Sequence, residues 1–177
     1  MLVTINAMGF SGTNAKMPVE VESLAAHFGN AEQAEVIRRR SRAFQDLAKS
    51  YTPPAGFQLI TNAPISTRTQ HETGANYRLD LVISNLNLST SIPVEIAFNN
   101  RETIGTNFLK LESFAKDQKD GINAPFGVLV VPTASLLNFG GWDSVYGSNQ
   151  EYENLRIRMY ESCLSLPTYL IELHGHF

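Results

Sequence analysis

The sequence predicts an α/β fold in three layers, with a mixed central sheet between two layers of helices. Three observations lead to this prediction. Helical and strand patterns alternate along the chain, residues 77–111 have the pattern of strand, turn, strand and helix in succession, and residues 126–132 are a continuous apolar run. Alternating elements are typical of layered α/β domains, and a wholly apolar strand is typical of a sheet covered on both faces.

The first third of the chain is predicted to be mainly helical. Its elements, in order, are an edge strand at 2–6, helices at 19–28 and about 31–50, and a short strand at 57–60. Pro18 favours the start of the first helix and the sequence TPP stops the second, because proline is tolerated in the first turn but not in a helix interior. The polar segment 62–76 contains Pro and Gly without periodicity, and it is predicted to be a long loop.

The central unit begins with the strand LDLVIS at 79–84, which alternates in character and is rich in branched residues. The Asn and Ser residues of 85–91 favour a turn. The second strand, VEIAF at 94–98, is predicted to start near Pro93, because proline suits the first residue of a strand. Apolar residues at intervals of three and four then predict a helix over 102–116.

The last part of the chain returns to alternating elements. They are, in order, a strand at 126–132, a helix at 149–163 and a strand at 168–173. Ser148 or Asn149 is the expected cap of the helix, and Pro167 ends it. The irregular, aromatic segment 133–149 is predicted to be a surface loop.

Length and composition indicate one domain that spans residues 1–177, with 43% hydrophobic residues to build a core. No apolar run approaches the roughly 20 residues of a membrane helix, and the start of the chain lacks the features of a signal peptide. The lone Cys163 excludes a disulfide framework and a cysteine-based zinc site. We therefore expect a soluble, cytoplasmic protein with no membrane partner.

The net charge of −3 argues against nucleic-acid binding through a wholly basic surface. Basic residues nevertheless cluster in two segments. The first cluster contains Arg38, Arg39, Arg40, Arg42 and Lys49, and the second contains Lys110, Lys116 and Lys119. A solvated helix face explains either cluster without any function, and a phosphate-binding face stays open as the alternative.

Two carboxylates stand inside the predicted central strands, Asp80 in the first and Glu95 in the second, each between apolar residues. If these strands pair, both acids lie at one edge of the sheet. Buried charge is costly unless it is compensated, and Mg²⁺ prefers carboxylate oxygens. The pattern therefore indicates a magnesium site. In the alternative, one acid faces solvent or pairs with Arg78 or Arg101.

The order of elements, with Asp80 in YRLDLVI and Glu95 in PVEIAFNN on neighbouring strands, resembles the PD-(D/E)xK nuclease fold. More narrowly, it is similar to type II restriction endonucleases of the BglII/BstYI kind. The helix NFLKLESF, the strand FGVLVVPT and the final PTYLIEL carry the rest of the resemblance, which covers about residues 32–173. It implies a restriction-endonuclease-like fold, double-stranded DNA as partner, Mg²⁺ as cofactor and hydrolysis of DNA phosphodiesters.

The resemblance also implies roles for individual residues. Asp80 and Glu95 would be the catalytic metal ligands, and a backbone carbonyl of Ile96 or Ala97 would contribute to the same site. The family pattern places Lys, Glu or Gln two residues after the second acid, where this chain has Ala97. An alanine side chain can neither position a water nor neutralise developing charge.

Three explanations for Ala97 follow, in order of preference. The chain is an inactivated variant that binds DNA without cutting it, or another group substitutes, or the chain is a natural descendant that binds without cutting. The candidate substitutes are Lys110, Asn99 and Glu35. The explanation that requires no function is a small residue that faces a packed layer.

Specific DNA contacts are expected from loops and strand ends. The candidates, whose side chains suit base edges and phosphates, are Arg68, Gln70, His71, Asn99, Asn100 and Asn138. Because short palindromic sites match twofold symmetry, a homodimer is expected.

The sequence therefore predicts a Mg²⁺-dependent, site-specific type II restriction endonuclease of a restriction-modification system, active or inactivated. One alternative is a non-catalytic DNA-binding or regulatory protein on the same fold. Another is an α/β enzyme that acts on a small molecule.

Overall fold

A mixed sheet of six strands forms the centre of the molecule. The computed structural model describes residues 1–10, 16–39, 41–65, 77–85, 87–98, 100–117, 123–140, 147–160 and 163–176. The strands within these ranges are β1 (Leu2–Met8), β2 (Gln58–Pro64), β3 (Arg78–Asn85), β4 (Thr90–Ile96), β5 (Gly127–Pro132) and β6 (Thr168–His174). Their order across the sheet is β1-β6-β5-β4-β3-β2. Strands β4, β5 and β6 run parallel, and the other neighbours are antiparallel.

Helices cover both faces of this sheet. They are α1 (Val19–Gly29), α2 (Gln33–Arg39), α3 (Ser41–Ser50), α4 (Ile104–Lys116), α5 (Ala134–Phe139) and α6 (Asn149–Leu155). A 3₁₀ turn, Arg101–Thr103, precedes α4, and a π-helical turn, Arg156–Tyr160, follows α6. None of the described helices is long and apolar enough to cross a membrane.

Two hydrophobic clusters show how the layers pack. Side chains of α1, α2, α3 and α5 join one cluster, and those of α4 and α6 join the other. Successive residues of β3 point to opposite clusters, so that Leu81 and Ile83 face the first and Val82 faces the second. The predicted three-layer α/β fold with a mixed sheet is therefore confirmed.

The topology brings several strand ends together at one edge of the sheet, and a site can form there. This edge is the row of strand ends, and it is not an outer strand. Because β3 is antiparallel to β4, the start of β3 lies beside the end of β4. Because β4 and β5 are parallel, the end of β5 lies at the same edge. Asp80 and Glu95 therefore lie at the same row of strand ends, on two inner strands of the sheet.

Several predicted boundaries differ from the structure. The helix predicted over about 31–50 is two helices, α2 and α3, and residue 40 between them lies outside the described residues. The strand predicted at 57–60 extends to Pro64 as β2. Strand β4 begins at Thr90, and Pro93 lies inside it, opposite Val82. Proline is tolerated there because the pairing of β4 with β5 begins only at Val94.

The prediction of a surface loop over 133–149 is wrong for its first part. Residues 134–139 form α5, and the Thr133 side chain caps this helix by accepting a hydrogen bond from the Leu136 backbone. A helix of six residues is too short to show a periodic pattern in the sequence. The helix predicted over 149–163 is regular only to Leu155 and continues as the π-helical turn.

Candidate active site

Asp80 on β3 and Glu95 on β4 lie on adjoining strands, just beyond the end of the strand pairing. The ladder between the two strands ends at the pair Leu81 and Val94. Beyond it, the Asp80 backbone N–H donates to Glu95 Oε1 over 3.2 Å, and the Ile96 backbone N–H donates to Asp80 Oδ2 over 2.8 Å. Each carboxylate thus accepts a hydrogen bond from the neighbouring strand in place of a backbone carbonyl. The expectation that the two acids meet across adjoining strands is confirmed.

Lys110 brings a positive charge to this pair from α4. Its Nζ atom lies 2.6 Å from Glu95 Oε2. The helix is held against the sheet by Phe108 and Leu111, which are buried in the cluster on that face. The Glu95 side chain is 1% exposed and that of Lys110 is 19% exposed, so the carboxylate is enclosed and the lysine keeps partial access to solvent.

The surroundings favour protonation of both acids. Burial raises the pKa of Glu95 to about 7, the negative charge of Asp80 adds to this effect, and Lys110 opposes it. Burial also raises the pKa of Asp80, while the Ile96 N–H and the positive charge of Lys110 oppose the rise. When both acids are ionised, the site carries two negative charges, and Lys110 offsets one of them.

The Ala97 side chain lies in the hydrophobic core and makes no polar contact with these charged groups. Ala97 is fully buried, and its methyl group belongs to the hydrophobic cluster between the sheet and α4. Its N–H donates to the Val130 carbonyl over 2.9 Å, and its carbonyl accepts from the Tyr152 hydroxyl over 3.4 Å. The Ile96 carbonyl accepts from the Phe98 N–H over 2.9 Å. This environment agrees with the explanation of Ala97 as a small residue in a packed layer.

The donor set is compatible with one Mg²⁺ ion. Within the described ranges, no group of three or more His, Cys, Asp or Glu side chains is placed to hold a metal. Mg²⁺ does not require such a group, because proteins usually bind it through one or two carboxylates together with water and substrate phosphate. Two adjacent carboxylates with an excess of negative charge meet that requirement.

The other predicted site residues are not gathered around the acids. Glu35 on α2 is half exposed and forms ion pairs with Arg38 and Arg39 instead. Asn100 is exposed, and its carbonyl accepts hydrogen bonds from Thr103 at the 3₁₀ turn. Asn138 is exposed on α5, which corrects the expectation that it belongs to a loop. Arg68, Gln70, His71 and Asn99 lie outside the described residues.

The structure also shows a polar cleft beside Asp80, which the sequence did not indicate. A cleft of about 170 Å³ opens beside Asp80, between α3 and the strands β2 and β3. The polar residues that line it with Asp80 are Gln45, Lys49, Thr61 and Asn62. Lys49 was visible only as a member of a basic cluster, because its distance from Asp80 depends on how α3 packs on the sheet.

Comparison with known proteins shows the fold of this chain and does not show its family or activity. No family model matches the sequence, and no curated protein matches it either. The structure is similar to that of restriction endonuclease BglII in complex with a DNA 16-mer, with a TM-score of 0.61 and 14% sequence identity. The match covers 100% of this chain and 78% of the other. The chain therefore has a restriction-endonuclease-like fold.

Proposed function

We propose that this protein is a Mg²⁺-dependent endonuclease that hydrolyses phosphodiesters of double-stranded DNA, of the site-specific type II restriction kind. The observation that carries the proposal is the meeting of Asp80, Glu95 and Lys110 at one sheet edge. There each carboxylate accepts a backbone hydrogen bond from the opposite strand, and the Lys110 ammonium group contacts Glu95. The shared fold of a restriction endonuclease supports it.

Asp80 and Glu95 are the proposed ligands of Mg²⁺. Their carboxylates are held in place before any ion binds, because each accepts a backbone hydrogen bond from the opposite strand. The ion would polarise the scissile phosphate and lower the pKa of the attacking water. The carbonyls of Ile96 and Ala97 already accept hydrogen bonds from Phe98 and Tyr152, and either retains a second lone pair for the site.

Lys110 is the proposed substitute for the charged or polar residue that Ala97 lacks. Its ammonium group reaches the edge of the sheet from α4 and contacts the second acid directly. In that position Nζ can donate to a non-bridging phosphate oxygen and stabilise the negative charge that develops during hydrolysis. Of the three groups proposed from the sequence, Lys110 contacts Glu95, Glu35 pairs with Arg38 and Arg39 instead, and Asn99 lies outside the described residues.

Base recognition and assembly belong to the same proposal. Arg68, Gln70 and His71 are the proposed base and phosphate contacts, together with Asn99, Asn100 and Asn138. A homodimer is proposed because restriction sites of this kind are commonly palindromic, and a twofold protein matches them. Size-exclusion chromatography with light scattering, with and without a DNA duplex, tests the assembly.

Cleavage of supercoiled plasmid DNA tests the activity. The wild-type protein is expected to give discrete fragments with Mg²⁺ and none with EDTA. Asp80→Asn and Glu95→Gln should abolish cleavage, and Lys110→Met should slow it by about 100-fold or more. Lys116→Ala is the matched control, because it removes an exposed lysine from the same helix without touching the acids. Cleavage that survives Asp80→Asn would contradict the proposal.

A non-catalytic DNA-binding protein is the second candidate, and one observation favours it. The ion pair between Lys110 and Glu95 already compensates part of the buried charge without an ion. If that pair is purely structural, the protein binds DNA but does not cut it. Duplex binding without cleavage at any Mg²⁺ concentration would favour this candidate over the nuclease.

A further inference from the structure

The cleft between α3 and the sheet offers a second polar surface next to the acids, on the face opposite α4. It is formed by Gln45 and Lys49 on α3 and by Thr61 and Asn62 on β2, with Asp80 at its inner side. Because α3 and α4 belong to opposite layers, Lys49 and Lys110 lie on opposite faces of the sheet. Lys49 lines the cleft together with Asp80, and Lys110 contacts Glu95.

The helix wall of this cleft is fixed by its packing. Ala48 and Phe44 are buried in the core on the inner side of α3. Gln45 and Lys49 are four residues apart, so they lie on one face of the helix, one turn from each other. Both side chains are exposed, and they border the cleft from the same side.

The strand wall contains a backbone feature of its own. Asn62 has a φ of +53°, and its position opposite Asp80 interrupts the regular pairing of β2 with β3. A positive φ is uncommon for a residue other than glycine, although asparagine tolerates it better than most. The Arg78 guanidinium donates to the Asn62 carbonyl over 2.8 Å and holds it in this conformation. Such local strain is found preferentially at functional sites.

The charge of Lys49 is not used by an ion pair. Among the described residues, Arg39 pairs with Asp46 on α3, Lys110 pairs with Glu95, and Lys49 forms no ion pair. An exposed ammonium group beside a cleft, flanked by two amide side chains, suits an anionic ligand with several oxygen acceptors.

We propose that this cleft binds a backbone phosphate of the DNA, next to the phosphate that lies at the acids. Lys49 supplies the positive charge, and the amides of Gln45 and Asn62 supply hydrogen-bond donors. The cleft thereby sets the position of the strand relative to Asp80. This inference rests on the proposed function, because it takes DNA as the ligand.

Duplex binding measured by fluorescence anisotropy in EDTA, over a range of salt concentrations, tests the inference without cleavage. Each phosphate contact by a lysine contributes about 0.9 to the slope of log K against log salt. Lys49→Ala is expected to weaken binding by about tenfold at low salt and to lower the slope by about 0.9. Lys49→Arg should keep the wild-type slope, since it keeps the charge.

Lys16→Ala is the matched control. It removes one exposed lysine that precedes α1, and neither Lys16 nor any residue of this helix lines the cleft. Equal losses of affinity in Lys16→Ala and Lys49→Ala would overturn the inference, because they would show a general effect of charge. Wild-type affinity and slope in Lys49→Ala would overturn it while leaving the proposed nuclease intact. Failure of the wild-type protein to bind any duplex would overturn the inference and the proposed function together.

Discussion

The Lys110 ammonium group lies 2.6 Å from the Glu95 carboxylate, although the two residues belong to different layers of the molecule. The Glu95 side chain is 1% exposed, and Asp80 adds a second negative charge beside it. A buried carboxylate without compensation is strongly unfavourable. The lysine therefore has a structural role at this edge of the sheet, whatever role it has toward a substrate.

Lys110→Met is expected to destabilise the protein by about 2–3 kcal/mol at about pH 8, because it leaves the buried Glu95 carboxylate without its cation. The loss should be smaller at about pH 5, where Glu95 is protonated. Urea unfolding at both pH values measures it. Lys116→Ala is the control, because the Lys116 side chain is 63% exposed and its partner Glu112 keeps hydrogen bonds from the Ser165 and Leu166 backbone. Its loss should therefore cost no more than about 1 kcal/mol. Equal losses of stability at both pH values in Lys110→Met would show that Lys110 does not act by compensating the charge of Glu95.

The meeting of the two acids could be predicted from the sequence, because it depends only on residues that are near one another in the chain. Asp80 and Glu95 lie in adjacent strands joined by a short turn, so pairing of the strands is enough to bring them together. The partner of Glu95 needs more information. Which face of α4 meets the sheet, and how far along, is decided by side-chain packing of Phe108 and Leu111. Lys110 could therefore be named only as one of three candidates.

The same limit explains which features of the site could not be predicted from the sequence. The family resemblance implies that residue 97 belongs to the site, because the family pattern has Lys, Glu or Gln two residues after the second acid. The structure shows that its methyl group is enclosed by the hydrophobic cluster, which depends on contacts with distant elements. Lys49 and Asn62 likewise meet Asp80 only after α3 and β2 have packed. Strand patterns predict neighbours within the sheet, and they do not predict what the helices bring to it.

Ala97→Gln is expected to destabilise the protein by about 1–3 kcal/mol without creating or increasing cleavage. The fully buried methyl group leaves no room for a longer side chain, and a buried amide needs hydrogen-bond partners. Urea unfolding and the plasmid assay measure the two effects. Ala97→Ser is the smaller control and should cost less. A stable Ala97→Gln protein with increased cleavage would show instead that residue 97 belongs to the catalytic machinery.

The stability of the protein is expected to fall as pH rises between about 5 and 8. Burial raises the pKa of Glu95 from 4.5 to about 7, so the folded protein binds this proton more tightly than the unfolded chain. The stabilisation that comes from this proton on Glu95 is therefore complete below pH 4.5, and it is lost as pH rises through about 7. Asp80 acts in the same direction, because its pKa is also raised. Urea unfolding across this range measures the slope.

Glu95→Gln should make that slope shallower, and Glu112→Gln should leave it unchanged. Burial opposes ionisation of Glu112, but hydrogen bonds from Ser165 and Leu166 outweigh burial and hold its pKa below the ordinary value. The stabilisation from Glu112 is therefore present above pH 4.5 and is lost only under more acidic conditions. A slope that persists in Glu95→Gln would assign the pH dependence to other groups.

Tyr152→Phe is expected to destabilise the protein by about 1–3 kcal/mol, because the Tyr152 hydroxyl links two buried groups. It accepts a hydrogen bond from the Asn107 amide over 2.8 Å and donates to the Ala97 carbonyl over 3.4 Å. Tyr152 and Asn107 are 0% and 2% exposed, so water cannot replace the lost partner.

A double-mutant cycle with Asn107→Leu separates the link from general packing effects. The double variant should be less destabilised than the sum of the two single variants, because it removes both members of the pair and leaves no unsatisfied amide between them. Urea unfolding of all four proteins gives the coupling free energy, which is expected to be about 1 kcal/mol or more. Strict additivity would mean that the hydroxyl and the amide contribute independently.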